Sequence, residues 1–93
     1  MYQLEFTTKF KKDLKKIKKQ GSDFSLVALV LKLLNVHGVA GINLTMKPHK
    51  LKGEFKDHWE CHIKPDLLII WFQIESPKTI RLIRLGSHSD LFG

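Results

Sequence analysis

The chain is 93 residues long with 43% hydrophobic side chains, enough for one domain with one modest core. Lys and Arg number 16 against 9 Asp and Glu, and the net charge of +7 favours a polyanionic partner such as RNA or DNA, or an acidic protein. A single cysteine, Cys61, excludes an intramolecular disulfide, and neither the Met1 start nor the Leu26–Leu34 run, interrupted by Lys32, reads as a leader or a bilayer span. The expectation is a cytoplasmic protein with no membrane association.

In chain order, Tyr2 to Phe6 alternates as a short strand with Tyr2, Leu4 and Phe6 on one face. Thr7 or Thr8 offers a helix N-cap, and Phe10, Leu14 and Ile17 follow at helical spacing. Lysines fill the other positions, so this helix presents a very basic outer face, and Gln20-Gly21 ends it. Ser22 or Ser25 starts a second helix through Leu26, Leu29, Val30, Leu33 and Leu34. Its broad apolar coverage predicts deeper burial than the first, and Gly38 stops it. Residues 38–48, with Gly38, Gly41 and Pro48, read as a loop.

The second half reads as sheet. Phe55, Trp59, Cys61 and Ile63 share one strand parity, while Lys56, His58, Glu60, His62 and Lys64 share the other. Asp57 falls on the apolar side, which implies either a bulge or a later strand start. Pro65-Asp66 marks a turn, and Leu67 to Ile74 is nearly all apolar, as in a central strand covered on both faces. Glu75 to Lys78 forms a hairpin loop, and Thr79 to Leu85 is the last strand, broken by Gly86. The predicted order is β-α-α-β-β-β. The predicted fold is α+β, a two-helix hairpin packed on one face of a small, mainly antiparallel sheet.

Three histidines are the candidates for chemistry: His49 in Lys-Pro-His-Lys-Leu, His62 in Glu-Cys-His-Ile-Lys-Pro-Asp, and His88 in Gly-Ser-His-Ser-Asp-Leu-Phe. Imidazoles exchange protons near neutral pH. His62 stands on a polar strand face beside Glu60, and Asp66 nearby is a carboxylate suited to orient it. Arg84, at the end of the last strand, has the charge to hold a phosphate. Arg81 has the opposite parity and is expected to serve elsewhere. Phe92 either packs down the tail or stacks on a base. Cys61 shares parity with apolar residues and reads as core, as do Trp59 and Trp71. A zinc site fits the residues poorly, and no Gly-rich phosphate loop is present.

Taken together, His49-Lys-Leu-Lys-Gly53, Glu60 through Ile70, and Arg84-Leu-Gly-Ser-His-Ser-Asp-Leu-Phe92 resemble the RelE/ParE superfamily of bacterial toxins. Within it they are similar to the YafQ-type mRNA interferases, over essentially the whole chain. The resemblance implies a toxin of a type II toxin–antitoxin system that cuts mRNA in the A site of the 70S ribosome. It implies a cognate antitoxin, with operator DNA reached only through that antitoxin, and no cofactor. It places catalysis on His49, His62, Asp66, Arg84 and His88, with Glu60 in support. Phe92 and Lys56 would contact substrate, and Lys11, Lys12, Lys15, Lys16, Lys18 and Lys19 would face ribosomal RNA. The implied reaction is metal-free attack by a 2′-hydroxyl. His88 would be the acid or base opposite a group from His49, His62 and Asp66, and Arg84 would hold the phosphate. Three rivals differ in kind: a ParE-like toxin of DNA gyrase, a non-catalytic RNA- or ribosome-binding module, and a degenerate toxin that only binds its antitoxin.

Overall fold

A computed structural model describes residues 1–21 and 23–93. Strand β1 (Gln3–Phe6) leads into helix α1 (Thr8–Gln20), and helix α2 (Phe24–His37) returns beside it. Strands β2 (His49–Lys50), β3 (Trp59–Lys64), β4 (Leu67–Glu75) and β5 (Lys78–Gly86) follow, and a short helix α3 (His88–Phe92) ends the chain. The sheet has five strands in the order β1-β5-β4-β3-β2. Only β1 and β5 are parallel; the other pairs are antiparallel. The α+β architecture and the order of its main elements are those read from the sequence.

Local chemistry fixes the helix ends. The Thr7 side chain accepts from the Phe10 N–H at the start of α1, and Gly21, at φ 81°, donates to Ile17 and Lys18 at its end. Asp23 precedes α2 without a side-chain capping bond, and Ser25 lies inside the helix. Ser22, the other expected start, lies outside the described residues.

Helix α2 turns Val27, Val30 and Leu34 onto the sheet, the i, i+3, i+7 positions of one face. Leu26 and Leu29, expected among the buried residues, fall on the opposite side and are 40% and 57% exposed. The window Phe24–Gly41 has a mean hydropathy of 1.7 over 18 residues, long and apolar enough for a span by composition, contrary to the estimate from Leu26–Leu34. Its last four residues form a 3-10 turn, Gly38–Gly41, and its inner face belongs to the core.

Between residues 38 and 48 the expected loop is built as two 3-10 turns, Gly38–Gly41 and Leu44–Met46. Phe55 lies in a further 3-10 turn, Gly53–Phe55, not in a strand. Asp57 adopts φ 67°, and β3 starts only at Trp59, which resolves the parity conflict in favour of the later start.

Five consecutive residues of β4, Leu67 to Trp71, are buried. Alternate side chains face opposite layers. Ile69 and Trp71 join Phe10, Val27, Val30, Leu34 and Cys61 beneath the helices. Leu68 and Ile70 join Leu91, Leu51, Phe55 and Ile83 on the outer face. Cys61 is fully buried, and burial pushes its thiol up to about 12, which makes it a core residue and no nucleophile.

A bulge shifts the register between β4 and β5: Ile70 faces Arg84, whereas Trp71 faces Leu82. The extra residue is Ile83, and it resets the parity of β5. Arg81 lies opposite Phe72 and Arg84 opposite Ile70, so the alternation counted along the sequence does not carry across the bulge, and the two side chains take different carboxylates, Glu5 and Asp13.

Gly38 ends α2 at φ 65°, ψ −153°, and a Cβ there would lie 2.7 Å from the Tyr2 ring. Both facts demand glycine. Gly38→Ala is expected to lower stability by about 1–3 kcal/mol, read as a lower urea midpoint with unchanged slope.

Candidate active site

The outer face of the sheet collects most of the predicted residues. Glu60, on β3, pairs in register with His49 on β2 and Ile70 on β4. It was read on the polar face of its strand, yet it is only 5% exposed, beside the outer apolar layer through its pairing with Ile70. His49 Nε2 lies 3.2 Å from Glu60 Oε1, and His62 Nε2 lies 4.0 Å from the same oxygen. The two imidazole centroids are 6.5 Å apart.

The far nitrogens of both rings are anchored to the main chain. His49 Nδ1 is 2.7 Å from the Lys47 carbonyl, and His62 Nδ1 is 3.3 Å from the Pro65 carbonyl. A carbonyl oxygen only accepts, so each Nδ1 carries a hydrogen. In the neutral ring each Nε2 then turns a lone pair toward Glu60. Both Nε2 atoms thus converge on one carboxylate oxygen. The second oxygen, Glu60 Oε2, is buried and has no hydrogen-bond partner among the described residues. Such an orphan acceptor marks a group that a bound hydroxyl would complete.

His88 and Phe92 arrive on α3. Leu91 anchors this helix to Leu68 and Ile70, the residues that face His62 and Glu60 across the β3–β4 ladder. Ser87 and Asp90 form a capping box at its start. Asp66 also serves here: its Oδ1 accepts the His88 main-chain N–H at 3.1 Å. This corrects the expectation that Asp66 orients His62. The turn carries the carboxylate toward α3, and the Pro65 carbonyl takes the imidazole. Rings of His88 and Phe92 are 5.0 Å apart, and Phe92 is 41% exposed.

Arg84 stands apart from the histidines. Its Nε and Nη2 donate to Asp13 on α1 at 2.8 and 3.2 Å, and Asp13 also accepts the Leu85 N–H at 2.9 Å. The hydrogen bonds it donates to Asp13 raise the guanidinium pKa further, so Arg84 is always charged. It borders a hollow of about 200 Å³ with Lys16, Gln20 and Asp90. Asp13 is the one acid in a helix of lysines, a signal the sequence offered and the pattern of lysines hid.

Beside His62 lies a second hollow of about 370 Å³, lined in part by Thr45, Lys47 and Lys64. Lys56 is exposed, and its carbonyl lies 3.1 Å from His58 Nδ1. Lys11, Lys12, Lys15, Lys16, Lys18 and Lys19 are all exposed along α1, as expected. Lys16 approaches Asp90 at 3.8 Å, and Lys18 lies over the Phe24 ring. Among the described residues no group of three His, Cys, Asp or Glu side chains is placed to hold a metal ion.

Fold and face together define a small basic α+β domain of the RelE type, with a histidine–carboxylate group on an open sheet face. The family model for bacterial toxins of type II toxin–antitoxin systems, YafQ, matches residues 2–93, and the chain belongs to that family. It is 28% identical to the mRNA interferase toxin YafQ of Escherichia coli K12 over 90 residues, 97% of this chain and 95% of the relative. The toxin in the E. coli DinJ–YafQ complex superposes with a TM-score of 0.87 at 27% identity, over 100% of both chains. A metal-bound toxin from Helicobacter pylori superposes with a TM-score of 0.86 at 42% identity, over 99% of this chain and 100% of that one. Membership of the YafQ family disfavours the gyrase-directed rival.

Asp90 provides a pH test of how α3 is held. Its bonds to the Ser87 hydroxyl and then the Ser87 N–H hold its carboxyl below the usual range, aided by Lys16 and Arg84. A depressed carboxylate stabilises fully above its unfolded value, about pH 4, and the gain is lost as pH falls through the folded value. Protection factors of the amides of residues 88–92, taken relative to the intrinsic exchange rate at each pH, are expected to fall on acidification below about pH 4, with less pH dependence in Asp90→Asn.

Proposed function

We propose that this mRNA interferase cuts message held in the ribosomal A site, with the outer sheet face as the catalytic surface. The observation that carries the reading is the buried Glu60 carboxylate flanked by the Nε2 atoms of His49 and His62. In the proposed reaction one of these imidazoles takes the proton of a ribose 2′-hydroxyl. The freed oxygen attacks the adjacent phosphorus, and Glu60 stabilises the imidazolium that forms. The P–O5′ bond breaks, and His88 gives its proton to the departing 5′-oxygen. The products are a 2′,3′-cyclic phosphate and a 5′-hydroxyl.

Arg84 stabilises charge on the phosphorane. Asp13 occupies its Nε/Nη2 edge, so a phosphate would be met from the Nη1 side. Asp66 positions His88 through the main chain, and Phe92 holds a base against the same helix. The lysines of α1 supply a sequence-independent attraction to ribosomal RNA. The ribosome would fix the message in line for attack, so cleavage of free RNA is expected to be weak. The chain is neutralised by a cognate antitoxin, and its place of action is the cytoplasm, where messages are translated.

The test is primer extension on a defined message in a cell-free translation reaction, with and without ribosomes. Wild type is expected to give cuts only with ribosomes. His88→Ala should keep ribosome binding and lose about 10²–10⁴-fold in cleavage rate. Cleavage near the wild-type rate in that variant would remove His88 from the chemistry.

A further inference from the structure

Next to the histidine–carboxylate group, the outer sheet face carries a row of rings that the proposed reaction does not use. Trp59 pairs with Trp71, so His58, one residue earlier, comes opposite Phe72, and the two rings lie 5.0 Å apart. Phe72 in turn faces Arg81 on β5. This row lies two residues along the strands from the Glu60–Ile70 pair, roughly 7 Å. Phe55 bridges the two regions: its ring meets His58 at 6.0 Å and Phe92 at 5.9 Å, and Phe92 meets His88 at 5.0 Å. The strip is therefore continuous with the helix that carries His88.

Core packing does not account for the outer end of the strip. Leu68 and Ile70 on the same face of β4 are fully covered, whereas Phe72 and His58 remain half-buried. The His58 ring is fixed by its Nδ1 contact with the Lys56 carbonyl at 3.1 Å, so it is presented in one orientation. Cations flank the rings. Lys56 is exposed, and among the described residues Arg81 is held by an exposed pair with Glu5 at 3.0 Å, a kind of contact a phosphate readily replaces. Flat rings on an open sheet face, edged with cations, are how sheet-based proteins stack unpaired bases.

We propose that His58 and Phe72 form a stacking platform for the base of a nucleotide neighbouring the scissile phosphate, with Arg81 meeting that nucleotide's own phosphate. The inference rests on the reading of the outer face as the mRNA-cleaving surface and adds the path by which the message crosses it. Stacking of this kind acts on bound substrate and transition state alike, so it affects half-saturation more than maximal rate.

The experiment is single-turnover cleavage of ribosome-held message at increasing toxin concentration, comparing wild type with Phe72→Leu, Phe72→Tyr and His58→Gln. Phe72→Leu keeps apolar packing and removes the flat ring, so it separates stacking from folding. Phe72→Leu and His58→Gln are expected to raise the half-saturating concentration roughly five- to a hundredfold with maximal rate changed little, while Phe72→Tyr stays near wild type. Unchanged half-saturation in Phe72→Leu overturns the platform and leaves the interferase reading standing. Equal losses in Phe72→Leu and Phe72→Tyr also overturn it. A wild type that cuts no message removes the reading and the platform together. If Phe72→Leu weakens capture by the antitoxin while half-saturation holds, the strip is a protein-docking surface and the proposal is wrong.

Discussion

Burial of β4 on both faces is the constraint from which the rest of the structure follows. A strand whose residues Leu67 to Trp71 are all buried needs a layer on each side of the sheet. The helical hairpin supplies one layer through Phe10, Val27, Val30 and Leu34. Among the described residues no further long helix serves the other side, and Leu68 and Ile70 are covered by Leu91, Leu51, Phe55 and Ile83. Every one of those residues belongs to a segment that also carries a chemical group. Leu91 brings α3 with His88 and Phe92. Leu51 and Phe55 lie within the stretch from His49 to His58, and Ile83 stands beside Arg84 on β5. The patch that completes the core thereby assembles the site.

The same cover explains the electrostatics. Glu60 lies in the β3 row beside Ile70, so the outer layer that dries the isoleucine also dries the carboxylate. A carboxylate in that position interacts with the two imidazoles more strongly than it would in water. Main-chain carbonyls hold the outer nitrogen of each ring and leave Nε2 toward Glu60. Arg84 is kept at the opposite margin by Asp13, which also satisfies the free Leu85 N–H beyond the end of β1. One carboxylate thus caps the exposed part of β5 and fixes the cation.

Much of the fold was legible because its signals are local. The capping Thr7, the lysine-faced period of α1 and the apolar run of β4 each report one element. What escaped depended on pairing. The bulge at Ile83 resets strand parity within β5, and only the partner strand reveals it, so parity along the sequence did not foretell the partners of Arg81 and Arg84. Two-residue β2 is too short to show alternation, yet it places His49 on Glu60. The three histidine motifs and Glu60 were visible as residue types, and their convergence depended on the sheet order. Asp66 was seen as a partner for the nearest imidazole in sequence, whereas the turn sends it to the helix 22 residues further on. Phe72 was hidden inside a strand that reads as uniform core.

The account rests on attack by the message's own 2′-hydroxyl, with protein side chains moving the protons. The most direct test is the chemistry of the new ends, read by mass spectrometry of a short message cut in a purified translation reaction. The account predicts a 2′,3′-cyclic phosphate upstream and a 5′-hydroxyl downstream, and no cut when the ribose at the scissile position is 2′-deoxy. A 3′-hydroxyl with a 5′-phosphate, or full cleavage of the deoxy-substituted message, would contradict it.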